Sequence, residues 1–236
     1  MSARPFIVAI DGPAGAGKSS VSKLLARRLG FSLVDTGAIY RCVALMARRE
    51  GIAFDDDARL GELLGRVHIH FQVVGEENHV FLGGQDVSGE IRTPDISMAA
   101  SQVSGRPVVR AGLLQLQRRL ALESEKGAIL EGRDIGTVVF PDADAKFFLA
   151  ASPEVRARRR YEELFQKGVE SSLDAVLADQ TKRDRDDSAR AVAPLKAAED
   201  AVHVDSSSAP LSEVVHGLES EILRRMAPRV GPEPRS

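Results

Sequence analysis

The sequence predicts an α/β fold in which helices flank a parallel β-sheet. Strand-like and helix-like segments alternate along the 236 residues, which is typical of parallel strands joined by crossover helices. Residues 6–10 form a continuous apolar run, as expected of a strand that is buried on both faces. Apolar residues then recur at helical spacing over residues 19–29, and Gly30 ends that run.

The rest of the chain continues this alternation. A short strand is predicted at 32–34, followed by a helix at about 38–49. Residues 128–130, 145–149 and 201–204 predict three more buried strands. A helix over 211–226 closes the fold, and the proline- and arginine-rich residues 227–236 are expected to be disordered.

The stretch from about residue 60 to residue 106 interrupts the α/β pattern. Residues 68–74, 79–82 and 85–87 resemble short strands, joined by turns at 75–78 and 83–84. An antiparallel meander within an α/β pattern indicates an inserted lobe. We therefore expect a single domain over 1–226, with a core of about 1–59 and 107–226 and an inserted lobe of about 60–106.

Composition limits the partners. The net charge of −2 argues against a general nucleic-acid or membrane surface, and no apolar run approaches the ~20 residues of a membrane span. Cys42 is the single cysteine, which excludes an intrachain disulfide and a cysteine zinc site and favours the reducing cytoplasm. With little obvious exposed apolar surface, a monomer is the default expectation.

Two focused basic clusters stand out against this nearly neutral background. They consist of Arg156, Arg158, Arg159 and Arg160, and of Lys182, Arg183, Arg185 and Arg190. Such clusters suggest small polyanionic ligands, although a solvated helix face would also explain either cluster taken alone.

The most specific motif follows the first predicted strand. It reads Gly12-Pro13-Ala14-Gly15-Ala16-Gly17-Lys18-Ser19 and fits the P-loop pattern GxxxxGK[ST], with a helix after it. Glycines let backbone N–H groups turn inward around phosphate oxygens, and the helix N-terminus adds a favourable dipole. We predict that this segment, extended to Ser20, binds ATP. Lys18 should reach the β- and γ-phosphates and be solvent-accessible without them, and the Ser19 hydroxyl should ligate Mg²⁺.

A P-loop by itself indicates a nucleotide and not a reaction. Switch GTPases need an Asn-Lys-x-Asp element, and the only asparagine, Asn78, lies in the inserted lobe. ATP-driven motors usually have an apolar strand ending in Asp-Glu, whereas residues 128–130 here lead into Glu131-Gly132. A small-molecule kinase is favoured. The open alternatives are an acceptor such as UMP or a metabolite, and a nucleotide-gated binding protein that hydrolyses ATP slowly.

A second anion-binding element follows the second predicted strand. It reads Asp35-Thr36-Gly37-Ala38-Ile39-Tyr40-Arg41, at the sheet edge that borders the binding crevice of open parallel sheets. The planar fork of Arg41 suits a phosphate group. Tyr40 is a candidate substrate contact, with simple packing as the alternative.

Over nearly its whole length the chain resembles the bacterial-type cytidylate kinases. The resemblance rests on the P-loop, on residues 35–41 and on three later blocks in the family's order. The first holds Gly89-Glu90-Ile91-Arg92 and Ala99-Ala100-Ser101-Gln102-Val103-Ser104. The second runs over 131–143 and begins Glu131-Gly132-Arg133-Asp134, with glutamate where many relatives have aspartate. The third is Arg183-Asp184-Arg185-Asp186-Asp187 followed by Arg190-Ala191-Val192-Ala193-Pro194-Leu195.

The resemblance implies ATP-dependent phosphorylation of CMP and dCMP, with Mg²⁺ as cofactor. Cytosine would be faced by Ser101, Arg110 and Asp134, and the ribose by Arg183 and Asp187. The acceptor phosphate would be held by Thr36, Arg41, Arg133 and Arg190. A helical lid, about 153–190, would close over ATP through Arg156, Arg159 and Arg160. The catalytic set would be Lys18, Arg133, Arg159, Arg160 and Arg190, because phosphoryl transfer depends on cations rather than on a protein nucleophile.

Overall fold

The computed structural model describes residues 4–75, 77–166 and 168–227. Its strands are β1 (Phe6–Asp11), β2 (Ser32–Asp35), β3 (Ile69–Val74), β4 (Glu77–Leu82), β5 (Gln85–Asp86), β6 (Gly127–Gly132), β7 (Ala145–Ala150) and β8 (Val202–Asp205). Its α-helices are α1 (Lys18–Leu29), α2 (Thr36–Arg49), α3 (Asp57–Leu64), α4 (Pro94–Ser104), α5 (Pro107–Leu122), α6 (Pro153–Gln166), α7 (Leu173–Ser188) and α8 (Leu211–Met226). A 3₁₀ turn spans Glu90–Arg92 and a π-helical segment spans Ile135–Val139.

Five strands form the predicted parallel sheet, in the order β2-β6-β1-β7-β8. The central strand β1 pairs with β6 and β7, so that Val8 lies between Ile129 and Ala145. All pairs are parallel, and the strands therefore present their carboxyl ends at one edge. Ligands bind at that edge in open α/β sheets.

The side chains of β1 alternate between two hydrophobic cores. Ile7 and Ala9 belong to the core under α2, α3 and α5, whereas Val8 and Ile10 belong to the core under α1 and α8. This alternation has the period of two that a pleated strand imposes. Because both faces are covered by helices, the strand is apolar throughout, as the sequence predicts.

The prediction of a buried strand at 201–204 is wrong in its burial. Val202 and Val204 of β8 are half-buried, and His203 and Asp205 are exposed. The strand lies at the end of the sheet and, within the described part of the chain, pairs with β7 alone, so its other side is exposed.

The interrupting segment contains a three-stranded antiparallel sheet in the order β3-β4-β5, which confirms the predicted meander. The helices on either side of this sheet, α3 and α4, are not predicted from the sequence. Helix α3 packs against α5, and α4 packs against α2, so that this segment has a helical half as well as a β half. Pro94 and Pro107 stand at the first positions of α4 and α5, where the missing N–H of proline is harmless.

Helices α6 and α7 pack against each other in the region predicted as a helical lid. Across the described ranges, no helix is both long and apolar enough to cross a lipid bilayer. The disorder predicted for residues 227–236 lies, from residue 228 onward, outside the described residues.

Candidate active site

The glycine-rich loop connects β1 to α1 at the carboxyl edge of the sheet. Gly12 has φ 148°, and a Cβ there would lie 2.0 Å from the carbonyl oxygen of Leu149. Only glycine fits this close approach of two strands. Gly15 and Gly17 also have positive φ, at 77° and 90°, and the loop then enters α1 at Lys18. Ser19 and Ser20 are exposed on the first turn of that helix.

The structure overturns the expectation that Lys18 is solvent-accessible. Its side chain is folded onto its own loop, where Nζ donates to the carbonyl oxygens of Gly12 (2.8 Å) and Pro13 (2.7 Å). The residue is only 7% exposed. An ammonium group in such a poorly hydrated position must be hydrogen-bonded, and two backbone carbonyls satisfy it.

Glu131, near the end of β6, connects the loop to the second predicted anion-binding element. Ser19 Oγ donates to Glu131 Oε2 at 2.8 Å, and Thr36 Oγ1 donates to the Glu131 backbone oxygen at 2.7 Å. Burial raises the pKa of Glu131, as does the charge of Asp35, while Lys18 opposes the shift. Burial and then Arg133 lower the pKa of Lys18, with Glu131 opposing. The two groups therefore stabilise each other's charged forms.

A crevice lies between this part of the core and the antiparallel sheet. Arg41 lines it and lies 3.7 Å from Asp35 Oδ2, while Arg92 approaches from the 3₁₀ turn. Asn78 of β4 donates to the Leu33 backbone oxygen at 3.2 Å and so joins the inserted sheet to β2.

Three more of the implied site residues meet at a buried carboxylate. Asp187 Oδ2 lies 3.0 Å from Arg133 Nε, and its Oδ1 lies 2.5 Å from Arg190 Nη2. Arg190 also donates to Ser104 Oγ at 3.0 Å. The structure thus gathers residues from the segment after β6, from α4 and from the end of α7.

Arg110 and Asp134 form a buried ion pair beside this group. Arg110 also donates to the Ser104 backbone oxygen at 3.0 Å, and its guanidinium lies 5.4 Å from the centre of the Tyr40 ring. Tyr40 is therefore buried beneath Arg110. Ser101 is half-buried one turn earlier on α4, where its carbonyl oxygen accepts from Ser104 Oγ at 3.1 Å.

Arg183 completes a convergence of positive charge. Its pKa is lowered by burial and then by the charge of Arg133, with Arg41 and Arg160 adding to the effect. Among the described residues its Nε has no hydrogen-bond partner. Guanidinium groups whose charges act on one another in this way favour an anion such as phosphate between them.

Two of the lid arginines fasten α6 to the neighbourhood of the glycine-rich loop. Arg156 donates to the Ala14 backbone oxygen at 3.0 Å and pairs with Asp184 at 2.6 Å. Arg159 donates to the backbone oxygen of Ser206 at 2.6 Å, and Ser206 Oγ donates to the Ala16 backbone oxygen at 2.9 Å.

The other two arginines of this cluster lie differently. Arg160 is half-buried and pairs with Glu163 at 2.9 Å, whereas Arg158 is exposed. Arg156, Arg159 and Arg160 therefore share the less exposed side of α6, as their helical spacing predicts.

Several residues of the site are not predicted from the sequence. Ser206 follows β8 and contacts the loop, and Gln180 of α7 lies where a Cβ on Gly15 would be 2.9 Å from its Nε2. Asp11 is the last residue of β1, and both of its carboxylate oxygens accept backbone N–H bonds from the π-helical segment. For Asp11 and Ser206 the only available signal was position, since polar residues at the ends of parallel strands lie at the binding edge. Gln180 lies within α7 and has no such signal.

The chain matches a family model described as cytidylate kinase over residues 8–224. The chain belongs to the cytidylate kinase family. A cytidylate kinase of Geobacter sp. (strain M21) is 54% identical over 221 residues, covering 94% of this chain and 94% of the relative. Those of Citrifermentans bemidjiense and Geobacter sulfurreducens are 52% identical over 221 residues and 54% identical over 222 residues, each again covering 94% of both chains. The resemblance seen in the motifs is confirmed, and the enzyme is a phosphotransferase.

Proposed function

We propose that this kinase transfers the γ-phosphoryl group of ATP directly to the phosphate of CMP or dCMP. The products are ADP and CDP or dCDP. The observation that best supports cytosine as the base of the acceptor is the buried Arg110–Asp134 pair. This pair lies next to the cluster of arginines around Asp187.

The ATP phosphates bind in the loop of residues 12–20. Its backbone N–H groups and the N-terminus of α1 supply donors and a favourable dipole. Lys18 leaves the carbonyl oxygens of Gly12 and Pro13 to reach the β- and γ-phosphates. Arg156 and Arg159 close over the nucleotide from α6, where they already contact the loop and Ser206.

The acceptor phosphate is held by Thr36, Arg41, Arg133 and Arg190. Its two negative charges need several partners, and the structure supports this role because Arg133 and Arg190 meet at Asp187 and Arg41 lines the crevice. Arg183 and Asp187 face the ribose. A carboxylate accepts hydrogen bonds from sugar hydroxyls, and Arg183 Nε is a donor without a partner among the described residues.

Cytosine is recognised by Arg110 and Asp134, with Ser101 nearby. The exocyclic amine of cytosine donates to a carboxylate, and its ring N3 accepts from a guanidinium. Asp134 uses Oδ2 for Arg110, which leaves Oδ1 as an acceptor, and a guanidinium has five N–H donors. Uracil would present a carbonyl oxygen to Asp134 and leave buried polar groups unpaired.

Mg²⁺ fits the oxygen donors beside the loop. The Ser19 hydroxyl and the Glu131 carboxylate lie together, and hard oxygen ligands are the ones that Mg²⁺ prefers. No group of three or more acidic, histidine or cysteine side chains suited to a metal occurs within the described ranges, so phosphate oxygens and water would complete the shell. When bound, the ion neutralises charge on the phosphates.

The catalytic set is Lys18, Arg133, Arg159, Arg160 and Arg190. These cations stabilise the charge that spreads over the transferring phosphoryl group. Closure of α6 and α7 (the lid, about 153–190) and of the inserted lobe (about 60–106) would exclude water and suppress hydrolysis of ATP. We also propose that the enzyme acts as a monomer in the cytoplasm, where the single buried Cys42 stays reduced.

Product stoichiometry tests the reaction. Separation of nucleotides after incubation with ATP, Mg²⁺ and CMP should give equal amounts of ADP and CDP and no free phosphate. ATP without an acceptor should remain intact. Release of phosphate at a rate that CMP does not change would instead indicate the slow ATPase of a nucleotide-gated binding protein. Consumption of ATP with a metabolite but not with CMP would indicate a different acceptor.

A further inference from the structure

Asp11 is a buried carboxylate that none of the roles above uses. It is only 3% exposed at the carboxyl end of β1. Its Oδ1 accepts from the backbone N–H of Ile135 and its Oδ2 from that of Gly136, both at 2.8 Å. These two N–H groups begin the π-helical segment Ile135–Val139. Asp11 therefore caps this segment from a different strand.

Part of this cap would ordinarily come from Asp134. It stands at the N-cap position, from which an aspartate side chain accepts from the N–H of the second or third helical residue, here Gly136 or Thr137. Asp134 makes no such bond here, and its carboxylate instead pairs with Arg110. Since the backbone donors are satisfied by Asp11, the Asp134 side chain is available to the base-binding pocket.

The chain around Asp11 leaves little room for it to move. The next residue, Gly12, is pressed against the Leu149 backbone oxygen, and its own carbonyl oxygen accepts from Lys18 Nζ at 2.8 Å. Asp11 thus has a fixed position. Through its bonds to Ile135 and Gly136 it joins the π-helical segment, which directly follows Arg133 and Asp134, to the start of the ATP-binding loop.

We infer that Asp11 is a positioning residue for base specificity, because capping Ile135 and Gly136 keeps the Asp134 carboxylate turned toward cytosine. The inference rests on the proposed role of Asp134. In this account Asp11 acts through Asp134 and not on a substrate. If Asp11 no longer accepts from the Gly136 N–H, the Asp134 carboxylate can accept from it instead. Asp134 would then turn away from the base-binding pocket, and the pocket would lose its hydrogen-bond acceptor for cytosine.

The direct test is Asp11→Asn, which keeps the shape but replaces one accepting oxygen by an amide that faces an N–H donor. The ratio of kcat/KM for CMP to kcat/KM for UMP should fall about tenfold or more, the size expected for one unsatisfied buried group. The KM for ATP should change less than about twofold. An unchanged CMP-to-UMP ratio would overturn the inference.

A double variant separates action through Asp134 from a general loosening of the site. If Asp11 works through Asp134, adding Asp11→Asn to Asp134→Ala should leave the CMP-to-UMP ratio where Asp134→Ala alone puts it. A further proportional fall in the double variant would show that Asp11 acts by another route and would contradict the inference. If Asp11→Asn is insoluble, Asp11→Ser, which also retains a single acceptor, takes its place in both comparisons.

Asp144→Asn is the matched control. Asp144 Oδ2 accepts from the Ile7 N–H at 2.7 Å, which is the same kind of bond at the opposite end of β1. The Asp144→Asn variant should have lower thermal stability and an unchanged CMP-to-UMP ratio. If Asp144→Asn loses selectivity to the same extent as Asp11→Asn, Asp11 contributes to stability and not specifically to the choice of base. The proposed function fails separately: a wild-type enzyme without preference for CMP over UMP would reject it. Selectivity lost in Asp134→Ala but kept in Asp11→Asn would reject only this inference.

Discussion

Asp187, in the last turn of α7, and Arg190, just beyond it, form an ion pair of 2.5 Å, and both side chains are largely withdrawn from solvent. The second oxygen of the same carboxylate holds Arg133 at 3.0 Å. One acidic residue therefore organises two arginines from distant parts of the chain. Removing a partner from such a buried group leaves charges without compensation.

Asp187→Ala should raise the KM for CMP about tenfold or more, because it removes a ribose acceptor and frees the two arginines that it aligns. The KM for ATP should change little. Steady-state kinetics with each substrate varied in turn measure both values. Asp186→Ala is the matched control, since Asp186 is exposed on the same helix and pairs only loosely with Lys182 at 3.7 Å. Equal losses for ATP and CMP would point to general disruption of the crevice.

Lys18→Ala should lower kcat/KM for the reaction by about 10²-fold or more, since it removes the cation that reaches the β- and γ-phosphates. The fold should remain intact. Lys182→Ala, which changes an exposed lysine, should leave the rate unchanged. Circular dichroism and thermal unfolding of each variant check the fold beside the rate. If Lys18→Ala retains most of its activity, Lys18 takes no part in the mechanism.

The lid arginines should affect turnover more than binding. Arg159→Ala and Arg160→Ala should each lower kcat, by up to about 10³-fold if the guanidinium meets the transferring group. The KM for ATP should rise less than kcat falls, since the charge they meet develops in the transition state. Arg158→Ala on the exposed side of α6 is the control. A raised KM with normal kcat in both variants would limit these arginines to ATP binding.

The burial of Asp11 also predicts how the free energy of unfolding depends on pH. The pKa of its carboxyl is raised from 3.8 to about 6: burial is the main cause, the Gly136 and Ile135 N–H groups oppose it, the charge of Asp134 adds to it and that of Lys18 opposes it. The folded protein thus binds this proton more tightly than the unfolded chain. The resulting stability is present in full below pH 4 and is lost as the pH rises through about 6.

Comparison with Asp11→Asn isolates this effect. Lowering the pH from 7.5 to 5 should increase the free energy of unfolding of the wild type relative to Asp11→Asn by about 1 kcal/mol. Urea unfolding of both proteins at the two pH values measures it. A difference that is constant with pH, or of opposite sign, would show that the Asp11 carboxyl is not raised in the folded state.

Much of the fold and of the site was predictable from the sequence because the signals are local. The apolar run at residues 6–10 predicts β1. The glycine-rich motif after it predicts a loop between a strand and a helix. Arg110, Asp134 and Asp187 were found only through the family resemblance, because nothing in their local sequence shows that they meet.

The parts that escaped prediction depend on tertiary contacts. Burial of Lys18 follows from carbonyl oxygens that its own loop presents, and the half-exposed β8 follows from its place at the sheet edge. Asp11 reads as an ordinary strand end, and its partners lie more than 120 residues away. Helices α3 and α4 were missed because the strands between them dominate the pattern.

If this kinase selects cytosine through Asp134, its preference among nucleoside monophosphates should depend on that carboxylate. The most direct measurement is kcat/KM with ATP for CMP, dCMP, UMP, AMP and GMP, in the wild type and in Asp134→Asn. The wild type should favour CMP and dCMP, and the gap between CMP and UMP should approach the ~10⁴-fold that hydrogen-bonded recognition can provide. Asp134→Asn, whose amide can donate to uracil, should narrow that gap. A wild type that uses UMP as well as CMP, or a variant that loses both activities in equal proportion, would contradict the claim.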